Sequence, residues 1–508
     1  MTKPTTEAMT ASATPEGGPP ITAGGSTATT GSGSRALRNT LGILVARVAG
    51  RMLALITVVL IGNALGDVGF GEMQTALTYS LLISTIADLG FSTLYVREGA
   101  RRPEMIGRFL NNMLSVRVPL LVVAVLGLTG GLWLIGLRSL IIPTAALLVV
   151  SGYQLMLRNT LYALQRLGYE IAEIVPEALL LLAVVVVGAR QHHGAGFFLW
   201  AYTLSYVAAA VYFAAVLVTL GVWRPRWTFE VELLRPWFRA ALPLAITYVF
   251  TTVYWKVDVP ILQRYTGYEQ VGWYSLAYKP FESLLFVPMT LRTVIFPVLA
   301  LYHQSAPDRF RLGTEKFFKA LLALGLPMSI GIVLLASQYN DILHLFPQSA
   351  ASLQILGIAV VFLFVDNTFA ASLLAMDRQG LFAWIAMGGL VANVLLNAIL
   401  IPVFEGMHPG SGYLVASWNV VATEVALVVA GWFTLHRLGI TIPVHRIAWR
   451  IVLASALMGG FIITIHPLGR VRVLAVTLAA GLAYGAVLWL LRTADDEDRA
   501  LLRRALRR

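Results

Sequence analysis

Apolar runs of about 18–20 residues, the length a helix needs to cross a bilayer, recur along all 508 residues and limit this chain's fold more than any other feature. They lie near 41–64, 70–93, 113–136, 139–163, 169–189, 196–221, 239–263, 271–298, 314–336, 349–375, 382–404, 411–435, 449–466 and 472–491, about fourteen in all. The runs 41–64 and 239–263 are the least regular, because charge interrupts both. A segment in lipid must satisfy its backbone internally, so such runs are helices. The expected class is an all-α polytopic membrane protein. Only 13% of residues are charged, against about 25% in soluble domains, which leaves little chain outside the membrane. With no cysteine there is no disulfide, thiol nucleophile or Cys-bound metal.

Residues 1–34 are Thr, Ser, Gly, Pro and Ala with almost no large apolar side chain, and are expected to be a disordered cytoplasmic tail. No apolar stretch of signal-peptide type follows Lys3. The net charge of +12 raises the question of nucleic acid, and the placement of the cations answers it. With the N-terminus inside, segments facing the cytoplasm carry 27 Lys and Arg, and those facing out carry 5. The positive-inside rule therefore explains the charge, and no nucleic-acid partner is expected. An even helix count places both termini in the cytoplasm of a multi-pass plasma-membrane protein.

The remaining six of the 38 cations fall within the spans: Arg47, Arg51, Arg117, Lys256, Lys279 and Arg292. Arg47 and Arg51 stand four residues apart on one helix face, roughly 9 and 15 Å deep if the helix enters at Leu41. A charge at such depth costs at least ~2.5–3.5 kcal/mol, so it tends to face protein or a wet cavity. Two stacked arginines point to a cationic cavity; the alternative is snorkelling or pairing with acids on a neighbouring helix. Arg117 and Arg292 lie near inner helix ends and are read as snorkelling. Lys256 has Asp258 nearby, and Glu282 follows Lys279 by three residues, a spacing that also suits a structural ion pair. The acids Asp88, Asp258, Asp366 and Glu424, with Glu282, are candidates for H+ or Na+ coupling or for pairing with the cations. The adjacent His192 and His193 have no acid nearby, and no metal site is expected.

Two stretches repeat. LYALQRLG at 161–168 and LLAMDRQG at 373–380 share L-x-A-x-x-R-x-G at an offset of 212. Gly66, Gly71 and Ala76 recur as Gly267, Gly272 and Ala277 at an offset of 201. Each match holds an equivalent place in a set of six helices, so the halves run parallel about an axis along the membrane normal. The expected organisation is a tail at 1–34, an N-lobe of six helices at 35–222, a C-lobe of six at 223–436, two appended helices at 437–492, and a basic cytoplasmic tail at 493–508. Two lobes around a central site suit alternating access.

Leu65-Gly66, Phe70-Gly71, Asp88-Leu89-Gly90 and Arg97 form an ordered series. It is followed in the second half by Asp258, Gly272-Trp273-Tyr274-Ser275, Ala277-Tyr278, Phe296-Pro297 and Ala375-Met376-Asp377-Arg378-x-Gly380. The series resembles the polysaccharide transporter family, the Wzx-type lipid-linked oligosaccharide flippases of the MOP superfamily, over roughly residues 40–440. The resemblance implies a V of two six-helix lobes plus two helices. It also implies movement of a polyprenyl-diphosphate-linked oligosaccharide from the inner to the outer leaflet for cell-surface polysaccharide biosynthesis. In related proteins helices 1, 2, 7 and 8 line the cavity, which would put Arg47, Arg51, Lys256 and Lys279 on the diphosphate's path. Asn393 and Asn397 are candidates for sugar hydroxyls, as are Asn367, Tyr153, Gln154, Tyr248, Tyr254 and Trp255. Membrane lipid and, through the pathway, polymerase and glycosyltransferase machinery are the expected partners; no cofactor is expected beyond a coupling H+ or Na+.

The nearest rival is a peptidoglycan lipid II flippase of the MurJ branch, which also has fourteen helices and a cationic cavity. A MATE-type cation antiporter would want an anionic cavity and twelve helices. A membrane glycosyltransferase would need acids in a sizeable outer loop, whereas the paired acids Asp495-Asp496 sit in the C-terminal tail; the chain is therefore read as a non-enzyme. A fixed scaffold would have little use for intramembrane charge.

Overall fold

The computed structural model describes residues 30–343, 346–467, 469–491 and 493, and of residues 30–45 and 247 the backbone only. The sequence reading of 1–29 as tail, and of the basic C-terminal segment, lies outside them. Helical backbone begins at Thr30, inside the stretch read as tail.

The described residues form α-helices and no strand. The first half holds α1 (Thr30–Asp88), α2 (Phe91–Arg101), α3 (Ile106–Leu134), α4 (Ile141–Ala163), α5 (Leu167–Arg190) and α6 (Ala195–Thr219). The second holds α7 (Val231–Lys256), α8 (Asp258–Thr266), α9 (Tyr268–Leu284), α10 (Phe286–Ser305), α11 (Pro307–Leu343), α12 (Ser349–Ala375), α13 (Gln379–Met407) and α14 (Gly412–Arg437). α15 (Val444–Ile465) and α16 (Arg470–Leu490) follow, and pack on α11 through Leu335, Ala454, Met458, Ile462 and Val476.

Among the described residues twelve helices are long and apolar enough to cross a membrane, or up to thirteen if the pair α7–α8, bent by 43°, counts as one span. The expected fourteen is not reached by this measure. The expected spans 41–64 and 70–93 fall in one apolar stretch, Ala46–Asp88. Its 43 residues would extend ~65 Å if straight, about twice the hydrocarbon thickness, and Gly66 breaks it with φ 70° and ψ 177°. A side chain there would be strained, which is why the break falls on glycine.

Gly267 has the same conformation, φ 91° and ψ −176°, between α8 and α9. The two breaks bring the halves together reciprocally. A Cβ on Gly71 would collide with the carbonyl oxygen of Tyr268, and one on Gly272 with that of Asp67. Adding or subtracting 201 converts one contact into the other. The second repeat is equally visible in the backbone. Gln165 and Asp377 both have φ 57°, and the three hydrogen bonds Leu164 N–Thr160 O, Gln165 N–Tyr162 O and Arg166 N–Leu161 O recur at Met376, Asp377 and Arg378.

The core does not divide at residue 222. Leu234, Trp237 and Ala241 of α7 are buried with Phe91, Phe109 and Phe213 of the first half. Phe91–Phe238 and Phe109–Trp237 make edge-to-face ring contacts at 4.7 and 4.9 Å. The segment before α7 is strapped to α3. Asn111 Oδ1 accepts from Trp223 Nε1 (2.8 Å) and Arg226 N (3.2 Å), and Asn112 Oδ1 accepts from Glu230 N (2.7 Å). Arg108 donates to both Glu230 carboxylate oxygens, and Asn112 Nδ2 to one of them at 3.0 Å. These donors hold the Glu230 carboxyl at about 2, below its ordinary 4.5. The strap is therefore complete above about pH 4.5 and is lost as pH falls toward 2. A spin label at exposed Trp227 is expected to be slow at neutral pH, to loosen across that window, and to be loose at pH 7 in Glu230→Gln. Equal mobility at all pH values would remove this role for Glu230.

Candidate functional site

Two recesses in the described residues carry charge. The one between the halves, a narrow recess, is lined by Gln74 and Thr78 of α1 and by Trp255, Lys256, Asp258, Tyr274, Tyr278 and Lys279. Lys256 and Lys279 converge on one acid: Lys256 Nζ donates to Glu282 Oε1 at 3.0 Å and Lys279 Nζ to Glu282 Oε2 at 3.3 Å. Lys256 Nζ also sits 5.4 Å from the centroid of the Tyr278 ring. The sequence neighbour Asp258 is thus not the hydrogen-bond partner of Lys256, and the Lys279–Glu282 pair has a third member. Two cations share one carboxylate, so the trio keeps a net positive charge toward the recess.

Asp258 is satisfied from the other side. It accepts from Tyr274 OH (2.7 Å) and Asn397 Nδ2 (2.8 Å), while Asn397 Oδ1 accepts from Asn419 Nδ2 (3.0 Å). Asn393 and Asn397 are 3% and 0% exposed, so in this arrangement both lie within that buried network and not on an open surface for sugar. Asn367 is likewise buried and donates to the Leu363 carbonyl. Glu424 accepts from Tyr254 OH at 2.8 Å and has Asp366 as an acidic neighbour. Arg292, read as snorkelling, is partly buried and interacts with Asp366.

The second recess, about 390 Å³, lies within the first half and includes Ser84, Asp88, Phe91, Arg117, Leu148 and Gly152. Snorkelling is also the wrong account of Arg117. Its Nη2 donates to Asp88 Oδ1 at 3.0 Å with both residues buried, and Asp88 accepts further from Ser92 N and Oγ.

Arg47 and Arg51 do not share a partner. Arg47 Nη2 lies 3.8 Å from Glu170 Oε2 on α5, and its side chain is 47% exposed. Arg51 is exposed, with its guanidinium 5.9 Å from the Phe286 ring centroid across the halves. Neither is held by a close ion pair. The sequence reading missed the acids of α5, of which Glu170 faces Arg47. Glu170, Glu173 and Glu177 recur at i, i+3 and i+7 within the apolar run 169–189, which marks one helix face. His192 and His193 are exposed, and His193 stacks on Phe197 at 4.4 Å.

Helices around a charged recess, with half-sets related by a fixed offset, define a multi-pass membrane protein of two-fold repeated architecture. Residues 36–303, more than half of the chain, match the family described as polysaccharide biosynthesis protein, and the chain belongs to that family. A search of curated proteins found no match. Among solved structures the chain is similar to the lipid II flippase MurJ in an inward closed conformation (TM-score 0.68, 15% identity, 89% of this chain and 98% of that one). It is also similar to an inward-facing multidrug resistance MATE family transporter of the MOP superfamily (0.60, 13%, 78% and 98%) and to the MATE multidrug transporter DinF-BH (0.56, 13%, 80% and 96%). At these identities the likeness establishes the fold, which is that of MurJ and the MATE transporters.

Proposed function

We propose that this protein moves a polyprenyl-diphosphate-linked oligosaccharide from the inner to the outer leaflet by alternating access. The carrying observation is that four intramembrane cations are shared or only loosely paired and at least partly exposed. Lys256 and Lys279 share Glu282, Arg51 faces an aromatic ring, and Arg47 is only loosely paired. A diphosphate presents anionic oxygens that arginine and lysine compensate in a low-dielectric path. A cationic-drug antiporter would find these charges repulsive. Membership of a polysaccharide biosynthesis family favours a glycan cargo, and the similarity to the lipid II flippase MurJ keeps lipid II as the second reading. Both termini are proposed to be cytoplasmic, a reading that the cation asymmetry supports. Transport is proposed to be coupled to H+ or Na+, and polymerase and glycosyltransferase machinery to be its pathway neighbours. A membrane potential, inside negative, adds outward drive to an anionic headgroup.

The test is leaflet transfer of a fluorescent polyprenyl-diphosphate oligosaccharide in proteoliposomes. Wild type is expected to transfer it, and Arg47→Ala/Arg51→Ala to lose tenfold or more while inserting normally. The loss of a single charge-assisted contact of ~1.5 kcal/mol already sets that minimum. Equal rates in both proteins would remove the arginines from the path. No transfer by wild type with several glycans would remove the function.

A further inference from the structure

The glutamates of α5 have no task in the cationic path, yet they are among the most confined charges in the first half. Glu170 and Glu173 are each 5% exposed. Glu173 lies within hydrogen-bonding reach of Glu177, and Glu173 Oε1 has no donor. Two ionised carboxylates only accept, so a contact between them is satisfied when one carries a proton. Every packed neighbour contributes a group that faces the set. Arg47 comes from α1, 3.8 Å from Glu170. Arg158 and Tyr162 come from α4; Tyr162 OH donates to Glu170, and Arg158 Nε is buried without a partner. Tyr206 and Tyr212 come from α6 and face Glu173, with Tyr202 behind Tyr206. Tyrosines and arginines donate and do not complete a metal cage, and among the described residues no group of three or more His, Asp or Glu is set to hold a metal ion.

We propose that Glu170, Glu173 and Glu177 form a proton site linked through Arg47 to the anionic headgroup; this rests on the flippase reading above. Arg47 is the shared element. It is half exposed toward the path and half engaged with Glu170. When a diphosphate draws Arg47 away, buried Glu170 and Glu173 and half-buried Glu177 keep Arg158 as their nearby cation, and the set takes up a proton from water. By reciprocity, protonation of the set releases Arg47 and tightens anion binding. One O–H bond forms on the set and one breaks on hydronium or buffer acid, and no other covalent bond changes. One proton joins the set as one anion binds, and leaves as the anion leaves.

The site itself is read without cargo. Wild-type protein in nanodiscs, with isotope-labelled glutamate, is expected to show an infrared carbonyl band of a protonated glutamic acid that titrates with pH and is lost in Glu173→Gln. The linkage is read by calorimetry with farnesyl diphosphate in buffers of different ionisation enthalpy. Wild type is expected to take up one proton per ligand, with Kd falling up to tenfold per pH unit lowered. Glu177→Gln, a second variant should Glu173→Gln not fold, is expected to take up none. Absence of a titrating band in wild type overturns the proton site. A band with no proton uptake on binding overturns the linkage to Arg47. Binding that responds to sodium and not to pH overturns the proton in favour of a cation. Failure of farnesyl diphosphate to bind overturns the linkage with the flippase reading, while the infrared band reports the proton site separately.

Discussion

Gly272→Ala is expected to shift the protein away from the arrangement described here by about 2–3 kcal/mol, a factor of roughly 30–150 in the equilibrium. The reason is the identity of the obstacle. A Cβ at 272 would come within 3.0 Å of the carbonyl oxygen and carbon of Asp67, and backbone has no rotamer to yield. Gly71→Ala meets the Tyr268 carbonyl in the same way, so the double variant has no unclashed side toward which to relax. The contacts gathered around the crossing would open with it. Trp273 Nε1 donates to Asp67 Oδ2 (3.1 Å), Tyr268 OH to the Ile135 carbonyl, and Phe70 meets Phe346 at 6.2 Å. The chain has no cysteine, so labels introduced at exposed Val68 and Glu269 are the only ones present. Their distance distribution is expected to lengthen in Gly272→Ala. Gly388→Ala, where a Cβ meets nothing within 4 Å, is the control and should be neutral or slightly stabilising. An unchanged distribution in the Gly71→Ala/Gly272→Ala double variant would show that the crossing does not set the separation of the halves.

That crossing was legible in the sequence because it is a demand on the backbone. A break that needs positive φ and a contact that excludes Cβ both select glycine, so Gly66, Gly71, Gly267 and Gly272 carry the geometry in their identity. The span count was less legible: the division at Gly66 was read, whereas the 43° bend between α7 and α8, inside the single span expected at 239–263, was not. Charge partners were least legible. Lys279 and Glu282 share a helix turn, and local spacing was enough to pair them. Lys256 reaches Glu282 over 26 residues and passes by its neighbour Asp258, because the α8–α9 break sets the register. Asn393 and Asn397 were named as candidates for sugar hydroxyls, and nothing local reveals that Asp258 and Asn419 enclose them in a buried network. The glutamates of α5 were visible as a face and were overlooked because the run around them is so apolar.

Arg117→Met is the substitution expected to cost the first half most, about 3–5 kcal/mol, because it leaves Asp88 ionised and buried with Ser92 as its remaining donor. Asp88 closes α1 just before Leu89 and Gly90 turn the chain into α2 at φ 48° and 72°. Arg117 reaches this turn from α3, and Gly152 on α4 makes room for it: a Cβ there would stand 3.2 Å from the guanidinium Nε. Three helices are thus arranged around one ion pair. Asp88→Asn alone leaves the guanidinium with a neutral acceptor and should cost less. The two changes together are expected to be less destabilising than the sum of the singles by about 2 kcal/mol, the coupling that a direct buried contact supports. Unfolding in mixed detergent, monitored by tryptophan emission, supplies all four corners of this cycle. The same four proteins separate a structural pair from a coupling one. A structural pair predicts that the double variant, once stable, transfers lipid as well as wild type does. A double variant that is stable but does not transfer would move Asp88 from the scaffold into the transport cycle. Additive costs would mean that the 3.0 Å contact contributes little and that Arg117 is held by packing around its stem.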